Sequence, residues 1–446
     1  MKLYYSKDIN DTFQLAIPVV IGQLGHMMMG VVDSIMVGKV GAAPLAAASV
    51  SHGLFMIFMI FGIGVSMAIS PLTAIERGAQ KYSECGIVFR QGLLVNFAVG
   101  IGLSIIIFFG SYILQYLNQP DEIVIQGADY MKILAYSVIP VMIFQSYKQF
   151  SEGLTIMRPA MVITLLANII NAFVNWVLIY GNLGAPAMGL SGAGWATFST
   201  RLLMAISIMV YVSNAHSYKP FEPNLHFRKI NVIMIKKLLK LGVPGGLQYF
   251  FEVGAFAGSA IIIGWLGTNE LAAHQIAINL ASISFMFALG ISAAGSIRVG
   301  NAVGRDDRRA TRNAGLAAFI LSAIVMGTFA IVFFLFRTVL PTLYIKNMEV
   351  IEIASSLLII TAFFQLSDGT QAVGIGVLRG IADAKIPMII TFLAYWIVGL
   401  PVGYLLGFSF HLGVQGVWLG LLLALTASAV MLSYRFISRS LHKVTI

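Results

Sequence analysis

The sequence predicts an all-α integral membrane protein: twelve transmembrane helices in two six-helix lobes related by a pseudo-twofold axis along the membrane normal. Three observations predict it. Charged residues make up only 10% of the 446 positions and hydrophobic residues 58%, whereas a soluble globular chain is roughly a quarter charged. Twelve apolar runs are each long enough to cross ~30 Å of hydrocarbon as a helix. The basic residues fall almost entirely on one side of those runs. So few charges cannot cover a water-soluble surface of this size, so a soluble enzyme, a secreted disulfide module and a disordered scaffold all fit poorly.

The runs are 13–37, 46–70, 91–113, 128–150, 159–181, 189–212, 241–265, 272–297, 314–336, 353–377, 387–408 and 413–437. The first follows a short polar stretch, Met1 to Asn10, that lacks the small-residue cleavage site of a signal peptide, so it is expected to remain as a span. Internal glycines do not argue against helix, because Gly is common where membrane helices pack closely. With the N-terminus inside, 23 of the 28 Lys and Arg residues lie in inner segments. They include Lys2 and Lys7 at the start, Lys148 and Arg158 after the fourth span, and Arg379 and Lys385 after the tenth. The longest inner segment adds Arg228 and Lys229, and the end adds Arg435, Arg439 and Lys443. Only Lys39, Lys132, Arg337 and Lys346 lie outside, and Arg201 falls within the sixth span. This asymmetry places both termini in the cytoplasm of a cell inner (plasma) membrane protein. In a soluble protein a net charge of +10 would suggest nucleic acid; here it is the orientation signal, and no nucleic-acid partner is expected. The single cysteine, Cys85, allows no internal disulfide.

The polar, basic stretch 214–240, with Pro220 and Pro223, divides the chain into an N-terminal lobe (1–213) and a C-terminal lobe (241–446), and reads as a cytoplasmic linker. The halves repeat at an offset of 226: Pro18 matches Pro244, Gly38 matches Gly264, the run from Gly41 matches the run from Gly267, and Gly78 matches Gly304. Six spans per half is an even number, so both halves enter the membrane from the same side and the repeat is parallel. Transporters built this way bind substrate between or within the halves and alternate access by rocking them.

Three acids lie deep in spans: Asp33, Glu252 and Asp368. Ionisable groups at that depth are costly and mark ion or substrate pathways; the alternative for each is an interhelical hydrogen bond from a protonated acid. Polar neighbours share their faces: Gln23, His26 and Asp33 in the first span, Asn168, Asn171 and Asn175 in the fifth, Gln248, Glu252 and Ser259 in the seventh, and Gln365, Asp368 and Gln371 in the tenth. Depth measured at ~1.5 Å per residue puts Asp33 about 6 Å, Asn175 about 9 Å, Thr197 about 12 Å and Asn171 about 15 Å from the outer boundary. These four are therefore expected in one polar pocket of the N-terminal lobe. Glu252 and Asp368, nearer mid-depth, are expected to share a second. Oxygen-rich sets of this kind suit Na⁺, at Glu252, Asp368 or Asp33, or a proton held by one carboxylate. Arg201 either compensates Asp33 or faces the cytoplasm, with a snorkelling side chain as the plain alternative. Met29 and its neighbouring methionines and phenylalanines suit varied apolar or cationic ligands, or are ordinary packing.

The stretches Val31-Val32-Asp33-Ser34-Ile35-Met36-Val37-Gly38, Leu271-Ala272-Ala273-His274-Gln275-Ile276-Ala277, Arg298-Val299-Gly300-Asn301-Ala302-Val303-Gly304 and Gly192-Ala193-Gly194-Trp195-Ala196-Thr197, with Asn171 to Asn175 followed by Tyr180-Gly181, resemble the multidrug and toxic compound extrusion (MATE) family over nearly the whole chain. The resemblance is to its NorM-like branch. It implies a two-lobed antiporter that expels cationic amphipathic small molecules in exchange for inward H⁺ or Na⁺. It further implies no other cofactor, no catalysis and a monomer in the lipid bilayer. It puts Asp33 on the N-lobe coupling acid, with Asn171, Asn175 and Thr197 in support. Glu252 and Asp368 fall on the C-lobe acids, with Gln275 nearby. Gln23, His26, Met29, Phe285 and Arg201 become candidates for the substrate cleft. Asn175 stands where certain members carry a second acid, and Phe285 where some NorM-like members carry tyrosine. The runner-up is a flippase for lipid-linked or amphipathic metabolites, which would need several cations in its cleft to grip phosphate; Arg201 is the one candidate.

Overall fold

The computed structural model describes residues 2–116, 119–225 and 230–440, with side chains from Lys7 onward. Arg228, Lys229 and Lys443 lie outside the described residues, as does the Lys2 side chain. Fourteen α-helices and no strand occur among the described residues. They build twelve segments long and apolar enough to cross a membrane. In order these are α1 (Lys2–Gly38); α2 (Ala42–Ser66) with α3 (Ile69–Gly78); α4 (Tyr82–Gly110); α5 (Asp121–Gly153); α6 (Arg158–Tyr180); α7 (Gly189–Asn214); α8 (Val232–Gly264); α9 (Thr268–Gly304); α10 (Arg308–Leu335); α11 (Met348–Gly380); α12 (Lys385–Phe392) with α13 (Leu400–Tyr404); and α14 (Gly413–Ser440).

The spans match the apolar runs in number and order, but several helices run further at the side that carries most of the basic residues. Apolar sequence marks where hydrocarbon ends, whereas a helix ends where its backbone hydrogen bonds end. Four helix ends on that side close the same way, with a residue at positive φ and a six-to-one backbone bond. These are Gln80 (φ 59) with Lys81 N–H to Glu76, Thr155 (φ 61) with Ile156 N–H to Ser151, Asp306 (φ 54) with Asp307 N–H to Ala302, and Ala382 (φ 58) with Asp383 N–H to Leu378. This is the Schellman closure. Gln80 and Asp306 are 226 residues apart, so the repeat extends to the turns. Gly41 and Gly267 also share one backbone conformation, φ 159, ψ 171 and φ 157, ψ 168, which glycine alone adopts freely.

These longer helices correct the placement of two charges. Lys148 and Arg379 do not follow their spans: they lie inside α5 and α11 and are buried, as is Glu152 on α5. The 214–240 stretch is not all linker either, since α8 begins at Val232. Its first part is tied to α4, where the Arg90 guanidinium donates to Glu222 O at 3.0 Å and to Asn224 Oδ1 at 2.9 Å. The eleventh span is interrupted by wide π turns at Leu393–Gly399 and Leu405–Ser409 on either side of Pro401, whose missing N–H breaks the regular ladder.

The chain forms two compact units, residues 21–246 and residues 1–20 with 247–446. Their borders therefore fall inside α1 and α8, two residues beyond Pro18 and Pro244, rather than in the polar stretch after the sixth span. In the 21–246 unit, α5 is central and is packed by α2, α3, α4 and α7, with α6 against α7. In the other, α11 is central and is packed by α9, α10 and α14, with α14 also against the eleventh span. Close crossings hold the transferred helix ends. A Cβ on Gly64 would lie 2.6 Å from the Gly246 Cα, and one on Gly290 would lie 2.4 Å from the Val20 Cγ2. Both pairs are related by the same 226-residue offset. Arg298 on α9 further pins the start of α1 by donating to Asp8 and, at 2.7 Å, to Thr12 Oγ1.

Candidate functional site

In the 21–246 unit, α1 and α6 run in a fixed register: Gly25 meets Asn168, and Asp33 meets Asn175. The two stripes meet at Asp33 and Asn175, while Gln23 and His26 turn toward α5. Asp33 Oδ1 accepts from Asn175 Nδ2 at 2.5 Å, and Asp33 Oδ2 accepts from Thr197 Oγ1 at 3.3 Å. The Asn175 amide also donates to Asn171 Oδ1 at 3.1 Å. Asn171 and Asn175 are fully buried and Thr197 nearly so. The structure brings Asp33, Asn171, Asn175 and Thr197 into one hydrogen-bonded cluster supplied by α1, α6 and α7.

Further along α1, Gln23 Oε1 accepts from Lys148 Nζ at 3.5 Å, and Lys148 lies 3.8 Å from Glu152 one turn on. The His26 ring meets the edge of Phe144 at 6.2 Å. Arg201 does not reach Asp33. Its guanidinium donates to Ser137 Oγ at 2.6 Å and sits 5.2 Å from the Phe55 ring centroid, so α2 and α5 anchor it one turn from Thr197. Met29 is buried within the unit.

In the other unit, Glu252 on α8 and Asp368 on α11 are 5% and 4% exposed, so both are removed from water by the protein itself. Gln371, one turn after Asp368, donates from Nε2 to Glu252 Oε1 at 3.0 Å and to Tyr395 Oη at 3.0 Å. Tyr395 Oη returns a bond to Gln371 Oε1 at 3.3 Å. Gln371 thereby bridges α8, α11 and the π turn of the eleventh span. Gln365, one turn before Asp368, is fully buried, and neither end of its amide has a hydrogen-bond partner. Gln275 does not join this group: its amide donates to Asn279 Oδ1 at 3.4 Å within α9. Phe285 packs with Ala288, Met326 and Ala372.

Among the described residues, no ion pair joins Asp33, Glu252 or Asp368 to a basic side chain. The hydrogen bonds to Asp33 and Glu252 come from neutral side chains. Tyr395, Lys148 and Glu152 were not legible as site residues. Tyr395 sits in an apolar run where tyrosine carries no signal, and the Lys148–Glu152 pair lay at the edge of a run. Their i, i+4 spacing was the available clue.

The MatE family model matches residues 18–177 and 244–405, one copy per half. Multidrug resistance protein NorM of Vibrio vulnificus is 34% identical over 435 residues, covering 97% of this chain and 95% of that protein. Multidrug resistance protein MdtK of Yersinia pseudotuberculosis is 34% identical over 436 residues, with the same coverage of 97% and 95%. The fold matches the crystal structure of the eukaryotic MATE transporter AtDTX14 at a TM-score of 0.88 and 19% identity, over 97% of this chain and 96% of that one. It matches a MOP superfamily transporter from Pyrococcus furiosus at 0.89 and 18%, over 98% and 97%. With one family-model match in each repeat and relatives aligned end to end, the chain belongs to the MatE family of multidrug and toxic compound extrusion transporters.

Proposed function

We propose that this transporter exports cationic amphipathic compounds in exchange for inward H⁺ or Na⁺ by alternating access, using Asp33, Glu252 and Asp368 as coupling acids. The observation that carries the reading is that three carboxyl groups lie in spanning helices and none of them is in a contact ion pair among the described residues. A mobile cation supplies what a fixed one does not. Asp33 offers the cation a carboxylate supported by Asn175, Thr197 and Asn171. Glu252 and Asp368 offer two carboxyls on one side of Gln371. Coupling follows if the cation and the drug favour different states of the protein. A membrane potential, negative inside, favours cation entry by about 2.3 kcal/mol per charge per 100 mV. The names of the bacterial relatives, multidrug resistance proteins, support export of drugs. The reading includes a monomer in the inner membrane with cytoplasmic termini, needing no bound group other than the coupling ion.

The test is ethidium movement in liposomes carrying the purified protein, under an imposed pH gradient and then an imposed Na⁺ gradient. Movement driven by one gradient names the coupling ion. Movement under neither, with folded protein, rejects antiport and favours the flippase reading.

A further inference from the structure

A chain of unfilled polar atoms runs through the 21–246 unit away from Asp33. On α6, Asn175 Oδ1, Asn171 Nδ2 and Asn168 Oδ1 are buried and have no hydrogen-bond partner. On α1, His26 Nε2 is in the same condition, and so is Gln145 Oε1 on α5. Asn171 and Asn175 are fully buried and Gln145 is buried, while His26 and Asn168 are half-buried residues whose unpaired atoms face inward. The α1–α6 register orders them: Asn175 lies beside Asp33, and Asn168 beside Gly25, one residue from His26. Three residues before His26, Gln23 meets Lys148, and Lys148 meets Glu152. Asp33 and Gln23 are ten residues apart on α1, about 15 Å along the helix. Glu152 is one residue from the end of α5.

Buried polar atoms without protein partners are satisfied by internal water, which bridges two to four such groups. Donors and acceptors recurring every turn on two facing helices are what a file of such waters needs. Four of the five lie on the α1–α6 pair between the levels of Asp33 and Gln23, and the fifth lies on α5.

We propose that this column is a proton path from Asp33 to the cytoplasmic side, with Glu152 as its exit acid and Lys148 as the residue that positions it. The inference rests on the proposed exchange of a cation for drug and assigns a proton to Asp33. The Asp33 carboxyl releases its proton to the water file, the Glu152 carboxylate accepts one at the far end, and Glu152, 4% exposed and one residue from the end of α5, passes it on to water at the cytoplasmic side. No bond other than O–H bonds forms or breaks. The charged and titratable groups around the exit are few. Lys148 faces Glu152 from its own helix, Tyr218 bonds Ser151 Oγ at 2.9 Å from the 3₁₀ turn after α7, and Arg77 on α3 donates to Thr155 Oγ1 at 2.7 Å. At the other end Arg201 stands beside the column, held by Ser137 and Phe55.

The test uses the full-length protein in liposomes, following ethidium and internal pH together. Under a pH gradient, Glu152→Gln should move ethidium at least tenfold more slowly than wild type while binding the dye with unchanged affinity in detergent. Glu152→Asp, which keeps an acid at the exit, should recover at least a third of the wild-type rate. If Glu152→Gln loses dye binding, Lys148→Met/Glu152→Gln removes both charges of the pair and is judged by the same criteria. A Glu152→Gln rate within twofold of wild type overturns the path and leaves antiport standing. Wild-type transport driven by Na⁺ alone does the same. Wild-type transport under neither gradient overturns both.

Discussion

Asp33 takes its two hydrogen bonds from neutral groups, Asn175 and Thr197, so the proposed coupling role is separable from the side chain's shape. Asp33→Asn keeps the volume and removes the acid. It should reduce gradient-driven ethidium transport at least tenfold while leaving dye binding intact, as measured in liposomes and by fluorescence in detergent. At the second acid site the bonds to Gln371 set a graded expectation. Tyr395→Phe removes both neutral hydrogen bonds with Gln371 but keeps the Gln371–Glu252 bond, and should cost about 1 kcal/mol of stability. Gln371→Leu leaves Glu252 Oε1 buried without its donor and should cost about 1–3 kcal/mol. Thermal unfolding in detergent should therefore rank wild type above Tyr395→Phe and Tyr395→Phe above Gln371→Leu; the reverse order would show that Gln371 does not hold Glu252. The three acids were legible because a carboxyl group in an apolar run has few structural excuses. Gln275 illustrates the limit: it lies on the right helix, but its hydrogen bond turns along α9 to Asn279.

Helices show where apolar patterning stops being informative. Their centres followed from hydropathy, but their ends on the basic side are set by backbone closures that hydropathy does not encode. Ala382 closes α11 in the left-handed region (φ 58), where a Cβ is strained and glycine is not. Ala382→Gly should raise stability by about 0.5–1 kcal/mol, read as a higher midpoint of unfolding in detergent. The opposite sign is expected at Gly64, where an added Cβ would lie 2.6 Å from the Gly246 Cα. Gly64→Ala should cost about 1–3 kcal/mol because backbone cannot move aside as a side chain can. Gly22→Ala is the control: nothing lies within 4 Å of its Cβ position, and alanine is the better helix former by about 1 kcal/mol. The repeat that relates Gly64 to Gly290 was visible in sequence at other positions. What those glycines approach was not, because it depends on a partner far along the chain.

For the whole chain, each compact unit draws on both halves of the sequence. Residues 1–20 belong with 247–446, and 230–246 belong with the earlier part of the chain. A chain cleaved at an engineered protease site between 222 and 230 should therefore stay together in mild detergent. A tag on one piece should retain the other, and Gly64→Trp combined with Gly290→Trp should weaken that retention. Release of the two pieces by cleavage alone would mean that the crossings at Gly64 and Gly290 contribute little.

The two crossings also bear on descent. Gly64 with Gly246 and Gly290 with Val20 are one contact made twice, each time across the duplication boundary. A half-length ancestor would have made it between two identical chains, each lending its twin the beginning of its first helix, as domain-swapped homodimers do. Fusing the genes made that loan permanent and freed the copies to diverge. They have: at the 226-residue offset, Asp33 is paired with Ser259, and Glu252 with His26. A homodimer cannot keep an acid in one copy and a histidine in the other; a fused descendant can, and two unlike acid sites in one protein are the result.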